Sequence, residues 1–64
     1  MDEFKDTFRE TRHAAGLTQQ AMADLFEMPK RTIENWEAGK RTPPPYVQRL
    51  VLAELKRIAK EKQD

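Results

Sequence analysis

The sequence lacks cysteine, has a single histidine and contains no long apolar run. Without cysteine neither a disulfide nor a thiolate zinc site can form, and His13 alone cannot supply enough ligands for a metal. The longest uninterrupted apolar run, residues 50–53, is far shorter than the roughly 20 residues of a membrane-spanning helix. We therefore expect no metal, no cofactor and no membrane contact.

The residue sets that form active sites are also missing. No nucleophile stands with a base and an orienting group, no glycine-rich phosphate loop is present, and the chain is too short for a deep pocket. The nearest approach to a carboxylate pair, Asp6 and Glu10, lies one helical turn apart and is typical of a solvated face. The acidic start, residues 1–3, is unlike a signal peptide, so we expect a non-enzymatic, cytoplasmic protein.

The chain does contain apolar patterns of helical period, with no hairpin signal. They predict one all-α domain over residues 1–64, a bundle of four to five short helices. Helices are predicted at residues ~2–15, ~18–26, ~29–38 and ~45–60. The first carries a single inner stripe, made of Phe4, Phe8, Thr11 and Ala15.

The second and third predicted helices are short and are joined by a tight turn. Thr18 is a favoured N-cap residue, Pro29 suits the first turn of a new helix, and Gly39 suits a left-handed C-cap. In the third helix Ile33 and Trp36 are three residues apart, which predicts that both belong to the core. The opposite face carries long polar side chains: Lys30, Arg31, Glu34 and Asn35.

The last predicted helix has more apolar residues than one small core requires. Leu52 and Ala59 extend the stripe sideways, and we expect Leu52, Leu55 and Ala59 to form a weak homodimer contact. Glu54 falls inside the stripe, which implies either a bend away from the core or a cationic partner. The tail after residue 60 is expected to fray. The inner stripe itself is predicted from Val47, Leu50, Val51, Leu55 and Ile58.

Basic residues are concentrated in the second half of the sequence. Up to residue 29 there are six acidic and three basic side chains, and from residue 30 onward there are nine basic and five acidic ones. A positively charged surface is therefore available although the formal net charge is only +1. Lys40 and Arg41 directly follow the third helix, where they either contact phosphates or simply add solubility.

At its centre the sequence resembles the phage-repressor helix-turn-helix family, which includes lambda repressor and Cro-like proteins. The matching residues are Leu17-Thr18-Gln19, Ala23, Pro29, Ile33 and Glu37-Ala38-Gly39, within a stretch of roughly 8–52. The resemblance implies a lambda-repressor-like bundle. Where the family has glycine in the turn this chain has Glu27, so either Glu27 adopts a left-handed conformation or the turn differs.

The resemblance also implies an ion pair and a set of DNA contacts. Arg12 stands where the family carries an arginine that pairs with a glutamate near the end of the third helix, here Glu37; the alternative is two unrelated solvated charges. Glu34 would either accept a hydrogen bond from cytosine N4 or orient neighbouring cations. The family's base-reading positions match Lys30, Arg31 and Asn35, and its backbone-contact positions match Thr18 and Gln19.

Two functions follow from these observations. The first is sequence-specific binding of double-stranded DNA by a small transcriptional regulator that acts as a dimer. The second is a protein-interaction module, an antitoxin-like or adaptor partner that uses the C-terminal helix. Salt distinguishes the two, because binding through several phosphates weakens steeply as salt rises whereas an apolar protein contact hardly responds.

Overall fold

The structure, a computed structural model, describes residues 3–63 and the side chains of residues 4–62. Over that range the chain forms four helices and no strand, which confirms the all-α fold class. The predicted start of the first helix at residue 2 lies outside the described residues. The helices are α1 (Glu3–Ala14), α2 (Gln19–Phe26), α3 (Lys30–Ala38) and α4 (Pro45–Gln63).

Local signals explain where the two central helices begin and end. The Thr18 hydroxyl accepts a hydrogen bond from the Ala21 amide at 3.0 Å and so caps α2. Glu27 ends α2 with φ 53° and ψ 48°, so the chain keeps the left-handed turn without glycine. Pro29 is the N-cap of α3 rather than its first residue, because its ψ of 137° is extended. Gly39 ends α3 with φ 77°.

The core is built from one large, completely buried side chain on each helix: Phe8, Met22, Ile33 and Leu55. Phe4 and Phe8 stack with ring centroids 5.3 Å apart, and Trp36 meets Phe8 edge-on at 5.6 Å. Trp36 packs against this core as the sequence predicted, with a minor part of its surface exposed. Its ring stands nearly perpendicular to both aromatic rings of α1.

The inward face of α4 contains four of the five predicted residues: Val51 and Leu55 are buried, and Val47 and Ile58 pack against the core. Leu55 is completely buried, so it cannot take part in the predicted dimer contact, whereas Leu52 and Ala59 pack against the core and remain partly exposed. Leu50, predicted to face the core, is instead 67% exposed.

The second half of α4 is continuous and reaches further than predicted. Glu54 accepts a hydrogen bond from Arg57 at 3.2 Å, so the cationic partner is present and the helix does not break. The helix runs to Gln63, beyond the expected end near residue 60. Lys62 lies over Gly16 so closely that a Cβ on Gly16 would stand 2.5 Å from the Lys62 Nζ atom. The last turn of α4 therefore packs on the C-terminal end of α1, where a helix dipole favours a cation.

Candidate nucleic-acid interface

The outer face of α3 carries the polar side chains identified in the sequence. Lys30, Arg31 and Glu34 are exposed and Asn35 is partly buried, while Ile33 on the other side is completely buried. Among the described side chains, none of these four polar groups takes part in a hydrogen bond or an ion pair. Glu34 therefore does not orient Lys30 or Arg31, and every donor and acceptor on this face is available to a ligand.

A buried ion pair fixes α3 against α1. Arg12 and Glu37 are each only 7% exposed. The Arg12 guanidinium donates from Nε to one Glu37 carboxylate oxygen at 2.6 Å and from Nη2 to the other at 3.0 Å. Its Nη1 donates to the Leu17 carbonyl at 2.9 Å, just before α2. The structure thus brings Arg12 and Glu37 together as expected, and the pair joins α1 and α3 to the segment that leads into α2.

Two further side chains converge on Glu37. Gln19, expected at the DNA backbone, donates from Nε2 to the Glu37 Oε1 atom at 3.1 Å. Arg9 donates from Nη2 to the Glu37 backbone carbonyl at 3.0 Å, and its Nε lies 3.9 Å from the same Oε1. Arg9 was missed in the sequence, although its spacing of three from Arg12 places both arginines on one face of α1.

The environment of Glu37 keeps its carboxyl group ionised. Burial raises the pKa of this group. Hydrogen bonds from Arg12 and Gln19 and the charges of Arg12 and Arg9 together lower the pKa by more than burial raises it. The resulting pKa is below the ordinary glutamate value, so Glu37 is a carboxylate at neutral pH. The network therefore contains two guanidinium groups and one carboxylate.

The start of α2 offers unpaired backbone donors beside this network. The Ala21 amide donates to the Thr18 side chain, and the Met22 amide donates to the Thr18 carbonyl. The two amides before them, which are the first two of α2, have no backbone partner within the described residues. Thr18 is exposed, and its hydroxyl serves as the cap. These groups lie at a helix N-terminus, where an anion is favoured.

The loop after α3 is fixed at its beginning. The backbone amides of Lys40 and Arg41 both point to the Asn35 carbonyl, at 3.0 and 3.4 Å. Their side chains are exposed and make no ion pair among the described residues. Further on, Pro43 is buried and its carbonyl accepts a hydrogen bond from Gln48 Nε2 at 2.7 Å. The two cations are therefore held beside the end of α3.

Together, α2, the left-handed turn at Glu27 and α3 define a helix-turn-helix, in which the second helix presents a free polar face. A family model described as a helix-turn-helix domain matches residues 3–58, and the chain belongs to this family of DNA-binding domains. Searches of curated proteins and of solved structures returned no match.

Residues 3–63 contain neither a helix suited to spanning a membrane nor a cluster suited to binding a metal. No helix among them is long and apolar enough to cross a membrane. No group of three or more histidine, cysteine, aspartate or glutamate side chains is placed to hold a metal ion.

Proposed function

We propose that the protein binds double-stranded DNA sequence-specifically, in the manner of phage-repressor regulators, with α3 in the major groove. The observation that carries this proposal is the outer face of α3. Its polar groups are free of internal partners, while the opposite side is anchored by Ile33 and by the buried pair of Glu37 and Arg12. A helix fixed in this way can present side chains to base edges without reordering.

The side chains of α3 suggest a division of roles. Lys30 and Arg31 lie in its first turn and suit the O6 and N7 acceptors of guanine, and Asn35 suits adenine. Glu34, unpaired in the structure, suits the N4 donor of cytosine. The backbone-contact residues of this proposal flank α3 on both sides, and they are Thr18, Gln19, Lys40 and Arg41.

A second copy of the chain is part of the proposal, because one recognition helix reads too few base pairs to single out a genomic site. Because Leu55 of the predicted contact is buried, we place the dimer contact on the outer face of α4 instead. Tyr46 and Leu50 are 69% and 67% exposed, stand one helical turn apart, and are followed by exposed Ala53. A patch this small supports only a weak dimer in solution, completed when both half-sites are occupied.

Selection from random duplex DNA, followed by gel-shift titration on the selected sequence, tests DNA binding. Arg31→Ala and Asn35→Ala should each leave the fold intact and cost about 1 to 3 kcal/mol of specific binding. Lys56→Ala is the matched control, because Lys56 is an exposed cation on α4 that belongs neither to the α3 face nor to the proposed dimer contact. If both α3 variants bind the selected site as tightly as the control, the groove assignment is wrong.

The dimer contact is tested by Leu50→Gln, which removes an exposed leucine and should leave the monomer folded. We expect cooperative binding to a two-half-site duplex to be lost while half-site binding is kept. Leu25→Gln is the control, because Leu25 is also exposed, at 55%, but lies on α2. Unchanged cooperativity in Leu50→Gln would show that copies meet elsewhere or that the chain binds alone.

The exposed apolar residues on α4 also favour a second candidate, an adaptor or antitoxin-like module that binds another protein through this face. That function predicts a complex that survives high salt and is broken by Leu50→Gln, with no selected DNA sequence. The DNA selection and the salt series together separate the two functions.

A further inference from the structure

We propose that Arg9 and Gln19 together form a binding site for one phosphate of the DNA backbone. This inference rests on the proposed function and adds Arg9, a residue that the sequence did not indicate. Arg9 Nε lies 3.9 Å and Gln19 Nε2 lies 3.1 Å from the same oxygen of Glu37. The Arg9 Nε and Gln19 Nε2 atoms therefore lie close to each other, because each is near this one oxygen. Free N–H groups on the two side chains can then reach different oxygens of a single phosphate.

The charge balance of the cluster leaves Arg9 available. Arg12 already binds both oxygens of the Glu37 carboxylate, with a hydrogen bond to each. Arg9 uses one N–H for the Glu37 backbone carbonyl, and its Nε is too far from the carboxylate for a hydrogen bond. Its side chain is 46% exposed, so the excess positive charge of the cluster and several N–H donors face solvent.

The position of the cluster matches the path of a DNA strand. Arg9 is attached to the last turn of α3 through the Glu37 carbonyl, and Gln19 is the first residue of α2. In a helix-turn-helix the first helix of the motif crosses the DNA backbone while the second enters the groove. A phosphate at the start of α2 would therefore meet Gln19 and Arg9 together, and the planar guanidinium suits its oxygens.

The experiment measures affinity of the full chain for its selected duplex and for a scrambled duplex, over a series of salt concentrations. Arg9→Gln should weaken both complexes by the same factor, roughly tenfold. It should also reduce the slope of log affinity against log salt by about one counterion. Arg9→Lys should keep the wild-type slope, because it retains the charge. Lys56→Gln, which removes an exposed cation from α4 outside both proposed contacts, should change neither the affinity nor the salt slope by a similar amount.

Thermal melting of each variant, with binding measured well below the transition, separates loss of contact from loss of fold. The inference is overturned if folded Arg9→Gln keeps the wild-type affinity and salt slope. It is also overturned if only the selected duplex is weakened, because Arg9 would then act through the orientation of α3. A wild-type chain that binds no duplex at all would instead contradict the proposed function, and the inference with it.

Discussion

Two arginine–glutamate clusters in this small protein differ in almost every property that matters. Arg12 and Glu37 are buried, lie 25 residues apart in the sequence and join α1 to α3. Arg57 pairs with Glu54 and Glu61 within a single helix, and all three side chains are at least 43% exposed. The first cluster positions α3, and with it the polar face of that helix, relative to α1. The second satisfies charges that water would otherwise solvate.

This difference shows that the number of ion pairs does not indicate how much they stabilise the fold. An exposed pair within one helix contributes a few tenths of a kcal/mol at most, because solvent and salt screen it. A buried pair is costly to form, but removing one partner leaves an uncompensated charge in the interior. Stability and function should therefore depend on Glu37 and hardly at all on Glu54.

The largest effect is expected from Glu37→Gln. The substitution leaves the Arg12 guanidinium buried without a counter-charge, which should cost about 3 to 5 kcal/mol, comparable to the whole stability of a domain of this size. Urea unfolding followed by circular dichroism measures the change. Glu54→Gln is the matched control and should leave the unfolding free energy almost unchanged, because solvent screens its ion pair. Equal effects of the two substitutions would contradict the comparison.

Acid should also lower the unfolding free energy through the buried cluster, but by less than Glu37→Gln does. The folded-state pKa of Glu37 is lowered, so its contribution is fully present above the unfolded pKa of about 4.3 and is lost as pH falls through the folded pKa. Unfolding free energies measured between pH 7 and pH 3 should decline at the acid end. In Glu37→Gln the unfolding free energy should decline less steeply with falling pH. A decline identical to that of the wild type would show that Glu37 does not cause it.

Replacing both members of the buried pair should restore stability without restoring function. In Arg12→Met with Glu37→Leu no charge is left uncompensated, so most of the stability lost in Glu37→Gln should return. Gln19 would nevertheless lose the carboxylate to which it donates, and Arg9 would lose the nearby negative charge, so DNA affinity should stay below that of wild type. A double variant with full DNA affinity would show that the pair is only structural.

The smallest effect is expected from Arg57→Ala. The substitution removes every ion pair of the exposed cluster, yet the unfolding free energy should hardly change, because solvent screens these pairs. The same urea titration measures it. A loss as large as that of Glu37→Gln would mean that the continuity of α4 depends on these side chains.

The parts of the fold that could be predicted were those encoded locally. The cap at Thr18, the break at Pro29 and the glycine stop at Gly39 each depend on one residue's chemistry, and all three lie at helix ends in the structure. The contact between Arg12 and Glu37 came from a resemblance rather than from spacing. No local pattern reports that residues 25 positions apart will meet.

The parts that could not be predicted depend on how helices pack against one another. Apolar residues occupy two faces of α4, and a helical wheel cannot tell which of them faces α1. Leu50 was therefore placed inward and Leu52 outward, whereas packing gives the reverse. Arg9 was missed for a related reason, because its partner is a backbone carbonyl on α3 that no side-chain pattern can indicate.

The most direct test of the account follows the backbone amides and arginine Nε–H groups by NMR as the selected duplex is added to the full chain. We predict the largest shifts at Lys30, Arg31 and Asn35, at the start of α2, and at the Nε–H of Arg9. The Nε–H of Arg57, in the exposed cluster on α4, should move little. Shifts concentrated on the second half of α4, with α3 unaffected, would contradict the account.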